Sequence, residues 1–206
     1  MDIVLAETRA PGAGGDSRGS PILVPPDVAV WAAIHTKPRA ERKVLEALAR
    51  RGVRTFLPMV TRRRTYGARV RVSRLPLFGG YLFHEFEPVG RIETLRTYGV
   101  VRVLETKDPQ RLARELQDLA RLLLVEGVTP VRVNLGPPGT PVEVVAGSLV
   151  GLRGELVRQT GATRLVIKIK FLDFGAAVDI DESSVRRIEA APLEGTAARH
   201  DGDLLA

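Results

Sequence analysis

Residues 75–86 read LPLFGGYLFHEF, and the rest of the chain is read outward from them. The stretch is strongly apolar and aromatic and is broken by Gly79-Gly80, which predicts a central strand. Side chains alternate across a strand. Leu77, Tyr81 and Phe83 then share one face, and Phe78, Leu82 and Phe86 share the other. A half-exposed antiparallel strand is apolar on one face only. Here both faces are apolar and both need cover. The chain's own helices can supply one cover. The second face is either buried within the same domain or offered to a partner protein. Gly79-Gly80 removes side chains where a bulge or a close backbone approach would sit.

Immediately upstream, residues 62–74 read RRRTYGARVRVSR. Tyr66-Gly67 is a turn signal, and Arg69-Val70-Arg71-Val72 alternates strictly, which predicts a projecting basic hairpin. So many Arg on one small element repel one another unless something anionic lies opposite. Residues 53–61 predict a strand, with Pro58 marking an edge or a bulge. Residues 28–35, VAVWAAIH, predict the first strand. A helix is expected from Pro38, suited to a first helical position, to about Arg51, with a stop at Gly52. Downstream, residues 88–97 suit a short helix and residues 98–104 a fourth strand. Residues 109–124 predict an amphipathic helix with Leu112, Leu116, Leu119 and Leu123 on one side. The arrangement expected is α+β: a four-stranded, mostly antiparallel sheet with packed helices, over residues 28–125.

Residues 1–27 are rich in Gly, Pro and small residues without a period and are expected to form a disordered leader. Residues 126–138 carry Pro130, Gly136, Pro137 and Pro138 and suit a stiff linker that holds two domains apart, though VRVN within it can pair as a short strand. Residues 139–190 alternate in short runs separated by Gly turns, which predicts a small β-barrel. Residues 191–206 are a polar tail, expected to be flexible.

The chain has 206 residues and a net charge of +7. That charge is unevenly placed. Residues 28–125 hold 20 Lys+Arg against 9 Asp+Glu, whereas residues 139–189 hold 7 against 7. A basic first domain points to a polyanionic partner. There is no Cys, so disulfides and thiolate metal sites are excluded, in keeping with a reducing cytoplasm. No apolar run approaches the length of a membrane span, and the N-terminus lacks a signal-peptide core. His35, His84 and His200 are scattered. Glu85 and Glu87 share a strand face, where a salt bridge to an Arg is the simplest role. No Gly-rich phosphate loop with a Lys-Ser/Thr ending is present. Neither catalysis, a cofactor nor a metal site is expected.

In residues 142–157, VEVVAGSLVGLRGELV, Gly147, Gly151 and Gly154 punctuate two strands and a turn. With VDIDESSVRRI further on, this resembles a KOW motif, a small SH3-like barrel. WAAIHTKPRAERKVLEAL, PLFGGYLFHEF and Gly99-Val100-Val101 resemble, in order, the opening, the central strand and the following strand of the NusG N-terminal domain. The resemblance spans roughly residues 28–190. It implies a transcription elongation or antitermination factor, expected as a cytoplasmic monomer without chemistry of its own. The alternative is a ribosome-associated RNA-binding KOW protein.

The resemblance also implies site residues. Tyr81 and Phe83, with His35 at the end of the first strand, match positions that contact RNA polymerase through an apolar depression. Lys37, Arg50 and Arg51 fall where specialised members touch the non-template DNA strand. In the hairpin, Arg62, Arg63, Arg64, Arg69 and Arg71 are placed to reach upstream DNA. In the KOW domain, Leu172 aligns with a Phe that commonly recruits a termination helicase or a ribosomal protein, and Leu152 replaces another common aromatic. Phe171 and Phe174 flank Leu172. The family usually has Pro at the position of Gly79. These departures, with the long hairpin, suggest a specialised paralogue.

Overall fold

The structure is a computed structural model and describes residues 6–7, 30–67, 69–86, 91–132, 139–159 and 161–189. The expected leader and tail lie outside these residues, except that Ala6–Glu7 form a two-residue strand, β1. Among the described residues the chain is α+β, with two antiparallel sheets and three α-helices.

The first sheet runs β1-β3-β5-β2-β6, with β4 paired to β3 alone. Its strands are β2 (Trp31–Thr36), β3 (Thr55–Tyr66), β4 (Arg69–Pro76), β5 (Tyr81–Glu85) and β6 (Val100–Leu104), besides β1. It is therefore wider than the four strands expected. The expected central strand is also divided. Leu75 and Pro76 end β4, and Leu77 to Gly80 form a turn before β5 begins. Gly80 fixes that turn at φ +83°, a conformation that costs glycine little. Its N–H donates to the buried Glu41 carboxylate at 2.7 Å, and its carbonyl accepts from Thr36 N–H at 2.8 Å. Because the chain turns here, Phe78 joins Leu77 on one side of the sheet instead of opposing it.

Pro58 sits where β3 changes partners. Thr55 and Phe56 pair with β5, whereas Met59 onward pairs with β4. A residue without an N–H is tolerated at such a change of ladder. Helix α1 (Glu41–Ala49) begins three residues later than expected. Arg39 adopts φ +63°, so Pro38 belongs to a turn rather than to the first helical position. Val44, Leu45 and Leu48 of α1 pack on Ala32, Ile34, Leu57 and Leu82, closing one face of the sheet. Helix α2 (Arg91–Leu95) is short. Helix α3 (Pro109–Leu122) starts with Asp108 accepting from Arg111 N–H, a side-chain N-cap.

The second sheet runs β12-β8-β9-β10-β11-β7. These strands are β7 (Thr129–Arg132), β8 (Thr140–Val144), β9 (Arg153–Gln159), β10 (Ala162–Ile169), β11 (Phe174–Asp179) and β12 (Val185–Arg187). β7 comes from the stretch expected as a linker and pairs with β11. Gly154 lies where a Cβ would come within 2.7 Å of the Val166 carbonyl, so a side chain there would collide with backbone.

The two sheets are not held apart. One continuous apolar cluster contains Phe56, Phe83, Leu112 and Leu116 together with Leu165, Ile169 and Ala176. Helix α3 is the reason. Six of its residues are buried, including both Leu119 and Leu122, a wider stripe than one sheet face needs. It packs on β2 on one side and on β10 and β11 on the other.

Candidate functional site: the interdomain face and the basic hairpin

The register of the first sheet builds the candidate partner face. In β2 and β5, His35 lies opposite Tyr81, Ala33 opposite Phe83 and Trp31 opposite Glu85. Directly opposed residues share a face, so His35, Tyr81, Ala33 and Phe83 line one side. His35 and Tyr81 stack with ring centroids 5.0 Å apart. Phe83 is 0% exposed, packed near Phe56 at 6.3 Å. In this arrangement Phe83 offers no surface, whereas Tyr81 and His35 are half-buried.

What covers Tyr81 comes from the second sheet. Phe174 stacks on Phe78 at 5.5 Å and meets Tyr81 edge-on at 5.4 Å. It sits at the start of β11, just after a 3₁₀ turn over Lys170–Leu172 and a left-handed Asp173. Leu172 and Phe171 in that turn are partly buried against the same cluster. Polar contacts close the seam. The Lys170 N–H donates to the Glu115 carboxylate at 3.2 Å, and the Arg121 guanidinium donates to the Val150 carbonyl at 2.5 Å. Burial here pushes the Glu115 carboxyl up, and pushes Asp118 up to about 6. Of the other residues singled out in the second sheet, Leu152 is fully buried in its core, and Gly147 and Gly151 close the turn between β8 and β9.

The basic residues fall in three separate places. Lys37 sits over the exposed Tyr98 ring, 5.2 Å from its centroid. Arg50 is exposed at the far end of α1. Beside it Arg51 is already engaged, donating to the Glu93 carbonyl at 3.0 Å and the Thr97 hydroxyl at 2.9 Å. The hairpin of β3 and β4 projects elsewhere, with Arg62, Arg63, Arg64, Arg69 and Arg71 all exposed. Glu85 forms an ion pair with Arg54, and Glu87 lies outside the described residues. Among the described residues, no three His, Asp or Glu side chains are grouped to hold a metal ion.

Sequence reasoning did not single out Phe78 as part of this face, nor Phe174 as its cover. The available signal was the pair Phe171 and Phe174 around Leu172. It also passed over His84, 2% exposed and bordering a cleft of about 290 Å³ lined by Leu48, Arg51, Arg54, Glu85 and Glu93. Burial pushes the His84 imidazole down from 6.5 to about 4. Between those pH values the unfolded chain binds a proton that the folded one does not, so His84 costs stability as pH falls. Asp118, with its carboxyl raised, acts in the opposite sense. Replacement of His84 by Phe is therefore expected to change the pH dependence specifically. Relative to the wild type, the variant gains up to about 3 kcal/mol between pH 7.5 and pH 4, read by urea unfolding at each pH. A constant difference across that range would show that His84 titrates normally.

Residues 29–120 match the family model described as transcription termination factor nusG. The chain is NusG-like. The match supports a transcription-associated factor. A solved structure showing domain interaction in Thermotoga maritima NusG is 22% identical, with a TM-score of 0.38, covering 77% of this chain and 97% of that one. No curated protein matches the chain. No helix among the described residues of this NusG-like chain is long and apolar enough to cross a membrane.

Proposed function

We propose that this protein is a transcription elongation factor that binds RNA polymerase and modulates pausing, termination or antitermination, acting in the cytoplasm without chemistry of its own. The observation that carries this reading is the aromatic face of β2 and β5 within the NusG-matching region. Its open end, His35 and Tyr81, is closed only partly, by a ring from another sheet. Residues 28–125 act as the polymerase-binding domain. His35 and Tyr81 make the contact, with Phe83 supporting them from beneath. Residues 139–190 act as a KOW domain tethered through 126–138, which raises its local concentration near emerging RNA, a ribosomal protein or a termination factor. Phe174 hides part of the Tyr81 ring, so full engagement by polymerase favours a state in which the sheets have separated.

The test is transcription in vitro with purified polymerase on a template with mapped pauses. Changed dwell times at those pauses, with co-purification of polymerase in the absence of ribosomes, are the expected result. Unchanged dwell times and no polymerase association would overturn the reading. Association with ribosomes alone would favour an RNA-binding KOW protein on the ribosome.

A further inference from the structure

The hairpin sorts its arginines by register. Arg64 lies directly opposite Arg71, Tyr66 opposite Arg69, and Arg62 opposite Ser73. Residues opposed across strands share a face, so Arg62, Arg64, Arg69 and Arg71 stand with Tyr66 on one side of the ribbon. The other side carries Arg63 and Arg74 with Val70, Val72, Thr61 and Thr65. The charge is thus biased to one side, four arginines against two, although the sequence scatters it over both strands.

This face is costly as it stands. Arg64 and Arg71 are like charges about 5 Å apart at the backbone, an arrangement that destabilises a strand pair. A two-stranded ribbon is at best marginal alone. None of Arg62, Arg64, Arg69 or Arg71 has a hydrogen bond or ion pair among the described residues. Tyr66 is 58% exposed beside them. Their positive charge is open to an anionic partner outside these residues.

We infer that the face formed by Arg62, Arg64, Tyr66, Arg69 and Arg71 docks into the major groove of B-form duplex DNA. The hairpin is a two-stranded β-ribbon, and the B-DNA major groove, about 12 Å wide, admits such a ribbon. Arg is the side chain that most often reads guanine there, and it also neutralises the flanking phosphates. Single-stranded nucleic acid is held instead in grooves with several stacking aromatics; this face has one, Tyr66. The A-form RNA major groove is deep and too narrow to read. Strand alternation also places Arg62 and Arg64 on the side of β3 that carries Phe56 and Val60, the side on which Tyr81 and Phe83 lie. A polymerase bound at Tyr81 and a duplex bound at the ribbon therefore share one side of the sheet. This inference deepens the proposed function and rests on it for the source of the duplex.

The test uses the full chain, with fluorescence anisotropy on a 20-base-pair DNA duplex, its single strand, and a duplex RNA of the same sequence. The expected order is duplex DNA well above the other two. Arg64→Gln/Arg71→Gln is expected to reduce the log-log salt slope by about two, so that the variant loses roughly tenfold less affinity than the wild type between 50 and 200 mM salt. Arg63→Gln, on the opposite side, is expected to leave the slope unchanged. Thermal melts confirm that the variants fold, since these side chains are exposed. Equal flattening by Arg63→Gln, preference for the single strand or the RNA, or no binding would overturn the inference. Binding of each variant to core polymerase without nucleic acid separates the two claims. Wild-type failure there sinks the transcription reading, whereas failure confined to the duplex sinks only this one.

Discussion

Replacing Phe83 with Ala is expected to lower stability by about 3–5 kcal/mol. Its ring is fully buried and shares a cluster with Trp31, Phe56, Leu112 and Leu116. Truncation there removes transfer energy and leaves a cavity that rigid neighbours on β2, β3 and α3 cannot fill. The loss is a large part of a typical domain's 5–15 kcal/mol. Urea unfolding followed by circular dichroism measures it. A loss under 1 kcal/mol, with polymerase binding abolished, would instead make Phe83 a surface contact that the docked arrangement hides.

Phe174→Ala is expected to leave each sheet folded but to loosen their docking by about 2 kcal/mol, or about thirty-fold in the ratio of docked to separated states. The ring makes two aromatic contacts across the seam, to Phe78 and to Tyr81. Aromatic pairs contribute about 0.5–1.5 kcal/mol each beyond the area they bury. Helix α3 still bridges the sheets, so separation becomes more frequent rather than complete. The readouts are a larger radius of gyration by X-ray scattering and shifted amide resonances at His35 and Tyr81. Where the docked state dominates, polymerase affinity rises by up to the same factor, because a larger fraction is competent to bind. An unchanged radius and unchanged affinity would mean that Phe174 does not hold the seam closed.

Much of this architecture is written locally. The Tyr66-Gly67 turn and the alternation of Arg69 to Val72 encode a hairpin, since turn chemistry and a period of two act over a few residues. The leucines at 112, 116, 119 and 123 encode α3 in the same way, and both faces of β5 are as apolar as the sequence requires. The start of α1 was not legible, because the left-handed backbone at Arg39 is set by how the chain leaves β2. The division of residues 75–86 was not legible either. It depends on Glu41 and Thr36, distant in sequence, capturing both backbone groups of Gly80.

The sequence by itself determined that the strand ending in Tyr81, Leu82 and Phe83 needs cover on two sides, and that the first domain carries the excess positive charge. Only the tertiary structure decided what the second cover is and how the charge is sided. Cover is a matter of which apolar surfaces meet, and α3 carries enough apolar side chains to serve two sheets, so it brings Phe174 onto Tyr81. Sidedness depends on pairing register, because a slip of one residue would send every Arg of one strand to the opposite face. Register is a relation between two strands, and Arg64 stands beside Arg71 only once the hairpin has closed.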